Sequence, residues 1–201
     1  MKQHFKIWEL SLLLAVCITL CVGLWAGAQQ RQLAGELVRL HVIAQSDSED
    51  DQRLKLCVRD AVLTSLRPAL EKAENLEDAK RIIMSRLQTL CGIADYTAAV
   101  QGKRYTATAS LCTERYPTRE YENFALPAGE YLSLKIVLGE GKGRNWWCVV
   151  FPPLCMTAAE DEDAMSVLSE DTRELITKQG NEYKLKFHII EIFEGIKSAL
   201  A

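Results

Sequence analysis

The sequence predicts an α+β fold: a mostly antiparallel sheet packed against helices, preceded by an N-terminal signal or anchor helix. Three observations predict it. An uncharged run, Leu10 to Trp25, lies close to the start of the chain. Two regions, 36–45 and 104–151, alternate apolar and polar residues with the period of two that belongs to strands. Three others, around 48–66, 76–94 and 181–200, place apolar residues at helical spacing.

The N-terminal element is read from its flanks. Lys2 and Lys6 precede the apolar run, and Ala26-Gly27-Ala28 follows it before Gln29. This is the three-part layout of a secretory signal, with Ala28 the candidate last residue removed. The run is also close to the length of a span, so an uncleaved anchor remains open. Positive charge inside places the rest of the chain beyond the membrane. The expected organisation is 1–28 as signal peptide or anchor and 29–201 as a single exported domain. Gln29 to Gly35 reads as a short exposed lead-in.

In Glu36–Gln45, Val38, Leu40, Val42 and Ala44 share one face and Leu37, Arg39, His41 and Ile43 the other, which predicts a strand. SDSEDDQ follows, residues 46–52. It fails as a calcium loop, because Gln52 stands where glycine is needed and Val58 where a terminal glutamate is needed. Ser48 with Asp51 instead makes a capping box, and acidic residues suit the positive end of a helix. That helix runs to about Leu66, with Pro68 limiting it. A second runs from Asn75 or Leu76 to about Ala94. Residues 104–151 then read as an antiparallel meander, with Gly139–Asn145 as a turn-rich link. A loop over 157–163, a short helix over 169–177 and a final helix over 181–200 complete the domain. Helices are expected on one face of the sheet.

The composition narrows the chemistry. The chain has 24 basic and 27 acidic residues, net charge −3, so no basic excess points to nucleic acid. Around Gly141-Lys142 both anchors of a phosphate-binding loop are missing. Zinc wants ligands in tight pairs, which the spacing of Cys148 and Cys155 does not offer. No metal or cofactor is expected. Of the three histidines, His41 and His188 lie beyond the N-terminal segment. A spatial pairing of Cys148 with His41 supports one alternative, an exported cysteine- or histidine-dependent hydrolase of the cell envelope.

Five of the seven cysteines (Cys57, Cys91, Cys112, Cys148 and Cys155) lie beyond residue 28, an odd number outside the cytoplasm. Cys148 and Cys155 bracket Val-Val-Phe-Pro-Pro-Leu. They either close a small disulfide loop or stay as two buried thiols. As neighbours on a strand, Trp146 and Trp147 point to opposite faces. One enters the core; the other is exposed as a contact anchor or covered by a helix.

Three segments together resemble a known family: LVRLHVIAQSDSEDDQRLKLCVRDAVL (37–63), YPTREYENFALPAGEY (116–131) and GEGKGRNWWCVVFPPLC (139–155) are similar to the stage II sporulation protein R family. The resemblance implies a signalling protein of endospore-forming bacteria, without catalysis of its own. Such a protein is secreted from the forespore into the space between the forespore and mother-cell membranes. It implies as partner a membrane-embedded aspartic receptor-protease of the mother cell, which processes the sigma-E precursor once activated by contact. Candidate contact residues come from the matching segments: Asp47, Asp50 and Asp51 as a negative helix start, and Tyr116, Arg119, Tyr121, Trp146 and Trp147 as aromatic and guanidinium anchors. Each also reads blandly, as a cap, a sheet aromatic or a solvated arginine.

Overall fold

The alternation of 36–45 forms the strand at the centre of the molecule. In the computed structural model, which describes residues 2–121, 124–154, 165, 167–177 and 182–200, that strand is β1 (Val38–Ile43). It follows α1 (Lys2–Ala34) and precedes α2 (Glu49–Leu70) and α3 (Leu76–Val100). Then come β2 (Ala107–Tyr116), the short hairpin of β3 (Arg119–Glu120) and β4 (Ala125–Leu126), β5 (Gly129–Leu138), β6 (Asn145–Phe151), α4 (Glu170–Ile176) and α5 (Glu182–Leu200). The main sheet has the order β2-β5-β1-β6. β2 pairs antiparallel with β5 and β6 antiparallel with β1, while β1 and β5 run parallel.

The expected meander over 104–151 is therefore only half formed. β2 and β5 are neighbours, but β1 is inserted between β5 and β6. The glycine-rich link carries the chain across the end of β1. Gly143 N donates to the Ala44 carbonyl at 2.9 Å and Lys142 N to the Gln45 carbonyl at 3.2 Å. Gly139 and Gly141 have φ of 57° and 63°, which other residues adopt reluctantly. At Gly143 a Cβ would run into the Ser46 carbonyl. A stretch that reads as a hairpin loop is a bridge over a third strand.

On the first face, Val38, Leu40 and Val42 of β1 meet Leu134 and Ile136 of β5 and Cys148 and Val150 of β6. All pack under Leu54, Val58, Val62 and Leu66 of α2 and Ile83 and Leu90 of α3. Ser48 caps α2 as its spacing predicts, its Oγ accepting from Asp51 N at 3.3 Å. Asn75 caps α3 in the same way. Both helices outrun the prediction. α2 takes Pro68 into its last turn at the cost of one i→i−4 hydrogen bond, and α3 reaches Val100.

The second face is covered too, contrary to the expected one-sided packing. Leu33 and Leu37, Tyr116, Phe124, Leu126, Tyr131, Val149, Leu175, Ile176 and Phe187 form a second core there. The predicted exposed lead-in 29–35 is instead the last part of α1, with Leu33 fully buried and Gln30 nearly so. The signal was hidden because Gln30 and Leu33 lie three apart in an otherwise polar stretch. Among the described residues, α1 is the one helix long and apolar enough to cross a membrane, from Lys6 to Ala34. The short helix and the final helix appear as α4, capped by Ser169, and α5. The loop expected over 157–163 lies outside the described residues.

Candidate partner-contact site

β1 turns Arg39 and His41 toward the second face, where strand register lines up polar partners. Arg39 pairs across to Ser133, and His41 lies between Lys135 of β5 and Trp147 of β6. Glu114 and Tyr116 arrive on the same face from β2. Four strands thus deliver side chains that are distant in sequence to one place.

Arg39 is fully buried. Its Nε donates to the Cys148 carbonyl at 3.1 Å and its Nη2 to the Tyr121 hydroxyl at 3.0 Å. The guanidinium lies 4.3 Å from the centre of the Tyr116 ring and 5.2 Å from that of Tyr131. Aromatic faces so placed offset part of the cost of burying a cation. Among the described residues, Nη1 has no hydrogen-bond partner. Burial pushes the phenols of Tyr116, Tyr121 and Tyr131 up from their ordinary values, so they stand as neutral donors.

Next to it, a relay of hydrogen bonds ends on Glu114. Ser133 Oγ donates to Glu114 Oε2 at 2.8 Å, so the 2.7 Å contact between Tyr116 and Ser133 carries the phenol's proton toward serine. Lys135 Nζ donates to Glu114 Oε1 at 2.8 Å, and His41 Nδ1 faces Glu114 Oε2 at 3.1 Å. Burial pushes the Glu114 carboxyl up, but hydrogen bonds from Lys135, Ser133 and His41 outweigh it and hold the pKa below the ordinary value. His41 Nε2 meets Asn145 Oδ1 at 3.0 Å, and its ring stacks on Trp147 with centroids 3.7 Å apart. The inner end of this network lies under the second core. Its outer end, with Lys135, Asn145 and the edge of Trp147, reaches solvent.

The arrangement gives His41 no nucleophile to activate. Both ring nitrogens are engaged, by a carboxylate and a carboxamide. Cys148 stands opposite Leu40 on the first face, while His41 projects from the second. Cys148 is moreover disulfide-bonded, which leaves no thiol. The pairing behind the hydrolase alternative is not made. Cys155 lies outside the described residues; Cys57, Cys91 and Cys112 are free.

The remaining sequence candidates fall in five places. Tyr116, Tyr121 and Trp147 join the network just described. Trp146 faces the other way, packs at the edge of the first core, and lies under Arg59, whose guanidinium is 4.3 Å from its ring centre. The acidic helix start forms a separate cluster. Asp51 is 6% exposed and accepts from Ser46 at 2.6 Å, Tyr105 at 2.9 Å and Lys103 at 2.8 Å. Burial acts to raise its pKa, but these hydrogen bonds and the Lys103 charge bring it down to about 2. Asp47 accepts from Arg144 N at 2.7 Å and so pins the glycine-rich bridge. Asp50 is exposed beside Arg53, and Arg119 is exposed on β3. Ala28 is exposed on α1, within continuous helix. Sequence reasoning missed Arg39, Glu114, Tyr131, Ser133, Lys135 and Asn145. The available signal was polar residues recurring on one parity of four apolar strands. Among the described residues, no group of three or more His, Cys, Asp or Glu side chains is placed to hold a metal ion.

A family model described as stage II sporulation protein R matches residues 34–161. The stage II sporulation protein R of Bacillus subtilis (strain 168) is 34% identical over 177 residues, which cover 78% of this chain and 79% of that protein. No solved structure matches. The matched region contains all four strands of the main sheet, and with them both the polar network and the acidic cluster.

Proposed function

We propose, on the premise that the chain belongs to the stage II sporulation protein R family, that it is the exported signal that switches on a membrane-embedded aspartic protease of the mother cell. That protease processes the sigma-E precursor. In this reading the protein is made in the forespore, delivers residues 29–201 into the space between the two membranes, and acts by touching its receptor. The observation that carries the proposal is the family match over 34–161, behind one helix able to cross a membrane.

The contact surface in this reading is the outer end of the second face, Trp147, Asn145 and Lys135, with Arg119 on the neighbouring hairpin. Trp147 is held rigid by its stack on His41, so little freedom remains to be lost on binding. In this reading the disulfide of Cys148 stiffens the strand that carries Trp147. A ligand of this kind shifts its receptor only by binding the active arrangement more tightly than the inactive one.

The test is reconstitution. Receptor-protease and sigma-E precursor are placed in vesicles, and this protein is supplied from the side opposite the precursor. Cleavage that depends on its addition, and that falls with Trp147→Ala or Arg119→Glu while folding is kept, is the expected result. No cleavage on addition of the folded protein refutes the activator assignment. Full activity of both variants refutes the surface and leaves the assignment standing.

A further inference from the structure

The C-terminal end of α1 is built into the domain. Ala26 and Leu33 are fully buried, and Gln30 Nε2 donates to the Glu130 carbonyl at 3.0 Å. Gly23 and Gly27, one helical turn apart, make a notch filled by the ring of Phe193 from α5. A Cβ at either glycine would meet that ring at 3.0 Å. α5 is itself fixed to the sheet side, with Phe187 and Ile190 buried and the Glu194 carbonyl accepting from Arg115 at 2.5 Å.

The rest of α1 is bare. Ile7, Leu10, Leu14, Ile18 and Leu24 are 55–70% exposed, and Trp8 is 79% exposed. No charge occurs between Glu9 and Arg31. That stretch of roughly 20 residues spans about 30 Å as helix, the thickness of a bilayer's hydrocarbon layer. Gly23 stands about 20 Å along it from Leu10, at 1.5 Å per residue. The Phe193 contact therefore falls within the outer third of that layer. Beside it Ile192 of α5 is 52% exposed, with His188 one turn before it on the same stripe and Glu191 next to it, both exposed.

We infer that α1 is kept as an anchor, and that α5 is clamped to it by Phe193 where α1 leaves the bilayer. The partner is a lipid bilayer, and the signal works while tethered to the membrane of the cell that makes it. Cleavage after Ala28 would delete Gly23, Ala26 and Gly27 and leave Phe193 without its seat. The bond after Ala28 lies inside helix next to buried residues, unlike the exposed, irregular chain that proteases prefer.

The full chain, expressed in a bacterial host, is tested in two ways. Intact mass and alkaline extraction of membranes report on retention. Hydrogen exchange of α5 amides in phosphatidylethanolamine–phosphatidylglycerol vesicles reports on the clamp, in the wild type, Gly27→Leu and Phe193→Ala. The expected result is a mass covering residues 1–201, retention in the extracted membranes, and exchange in α5 about tenfold faster in both variants while α2 and α3 are unchanged. If Gly27→Leu loosens the whole domain, Phe193→Ala alone decides. A mature chain beginning at Gln29, or release by alkali, overturns the anchor; unchanged α5 exchange overturns the clamp. These readouts do not involve signalling, so either failure leaves the activator reading standing.

Discussion

Replacing Asp51 by asparagine removes a charge at the first turn of α2 and keeps the side chain's shape. The carboxylate is 6% exposed and takes hydrogen bonds from Ser46, Tyr105 and Lys103. Its pKa falls from 3.8 to about 2 in the folded protein. At 1.36 kcal/mol per unit, that shift corresponds to about 2 kcal/mol of stability at neutral pH. Lys103 is about one quarter exposed, so water screens part of its attraction and the figure is an upper one. The folded pKa is depressed, so the contribution is complete above the unfolded value of 3.8. It fades as pH drops from about 4 to about 2. Asp51→Asn should therefore cost up to about 2 kcal/mol at pH 7 and little near pH 2. Urea denaturation of the full chain in detergent, followed by circular dichroism, should show the midpoint lowered by about 1 M at pH 7 for an m-value near 2 kcal/mol/M. The gap should close as the pH is lowered. A gap that is the same at pH 7 and pH 2.5, or absent at pH 7, refutes the assignment of this carboxylate as a charged clamp.

Further expectations rest on other contacts. Glu114→Gln strips Lys135 and His41 of their anion and should lower stability by about 1–3 kcal/mol at neutral pH, the loss shrinking as pH falls through the carboxylate range, in the same denaturation assay. Leu33→Ala opens a cavity in the second core and should cost about 2–4 kcal/mol, whereas Leu14→Ala, on the bare part of α1, should leave the domain's denaturation midpoint unchanged. Gly143→Ala forces a methyl group into the Ser46 carbonyl and should cost about 1–3 kcal/mol by the same measurement.

The helices and strands were legible where one local pattern suffices. Ser48 and Asn75 announce their helices by capping, and the alternation at Val38–Ile43 announces β1. Strand order was not legible, because GEGKGRN suits a hairpin and a bridge equally well. Only the long-range bonds from Lys142 and Gly143 to Gln45 and Ala44 distinguish the two. The packing of α1 was hidden for a related reason. Glycine and alanine read as a cleavage motif by composition and as a packing notch by geometry. Nothing local tells whether Phe193, far along the chain, fills it.

The site shows the same limit more sharply. In the sequence Tyr116, Tyr121 and Trp147 read as surface anchors, yet Tyr116 is buried and serves as the first donor in a relay to Glu114. His41 reads as a partner for the Cys148 thiol, which it does not face. Parity along β1 separates Arg39 and His41 from Leu40, but parity cannot say which residues of β2, β5 and β6 share their face. Register decides that, and register depends on the bridge over β1. Once it is known, His41 has both nitrogens occupied, Glu114 takes three donors, and Trp147 is stacked flat against a buried ring. The network ties His41, Glu114 and Trp147 to one another. What it presents at the rim is a Trp edge and a lysine fixed in position, with little freedom left to lose.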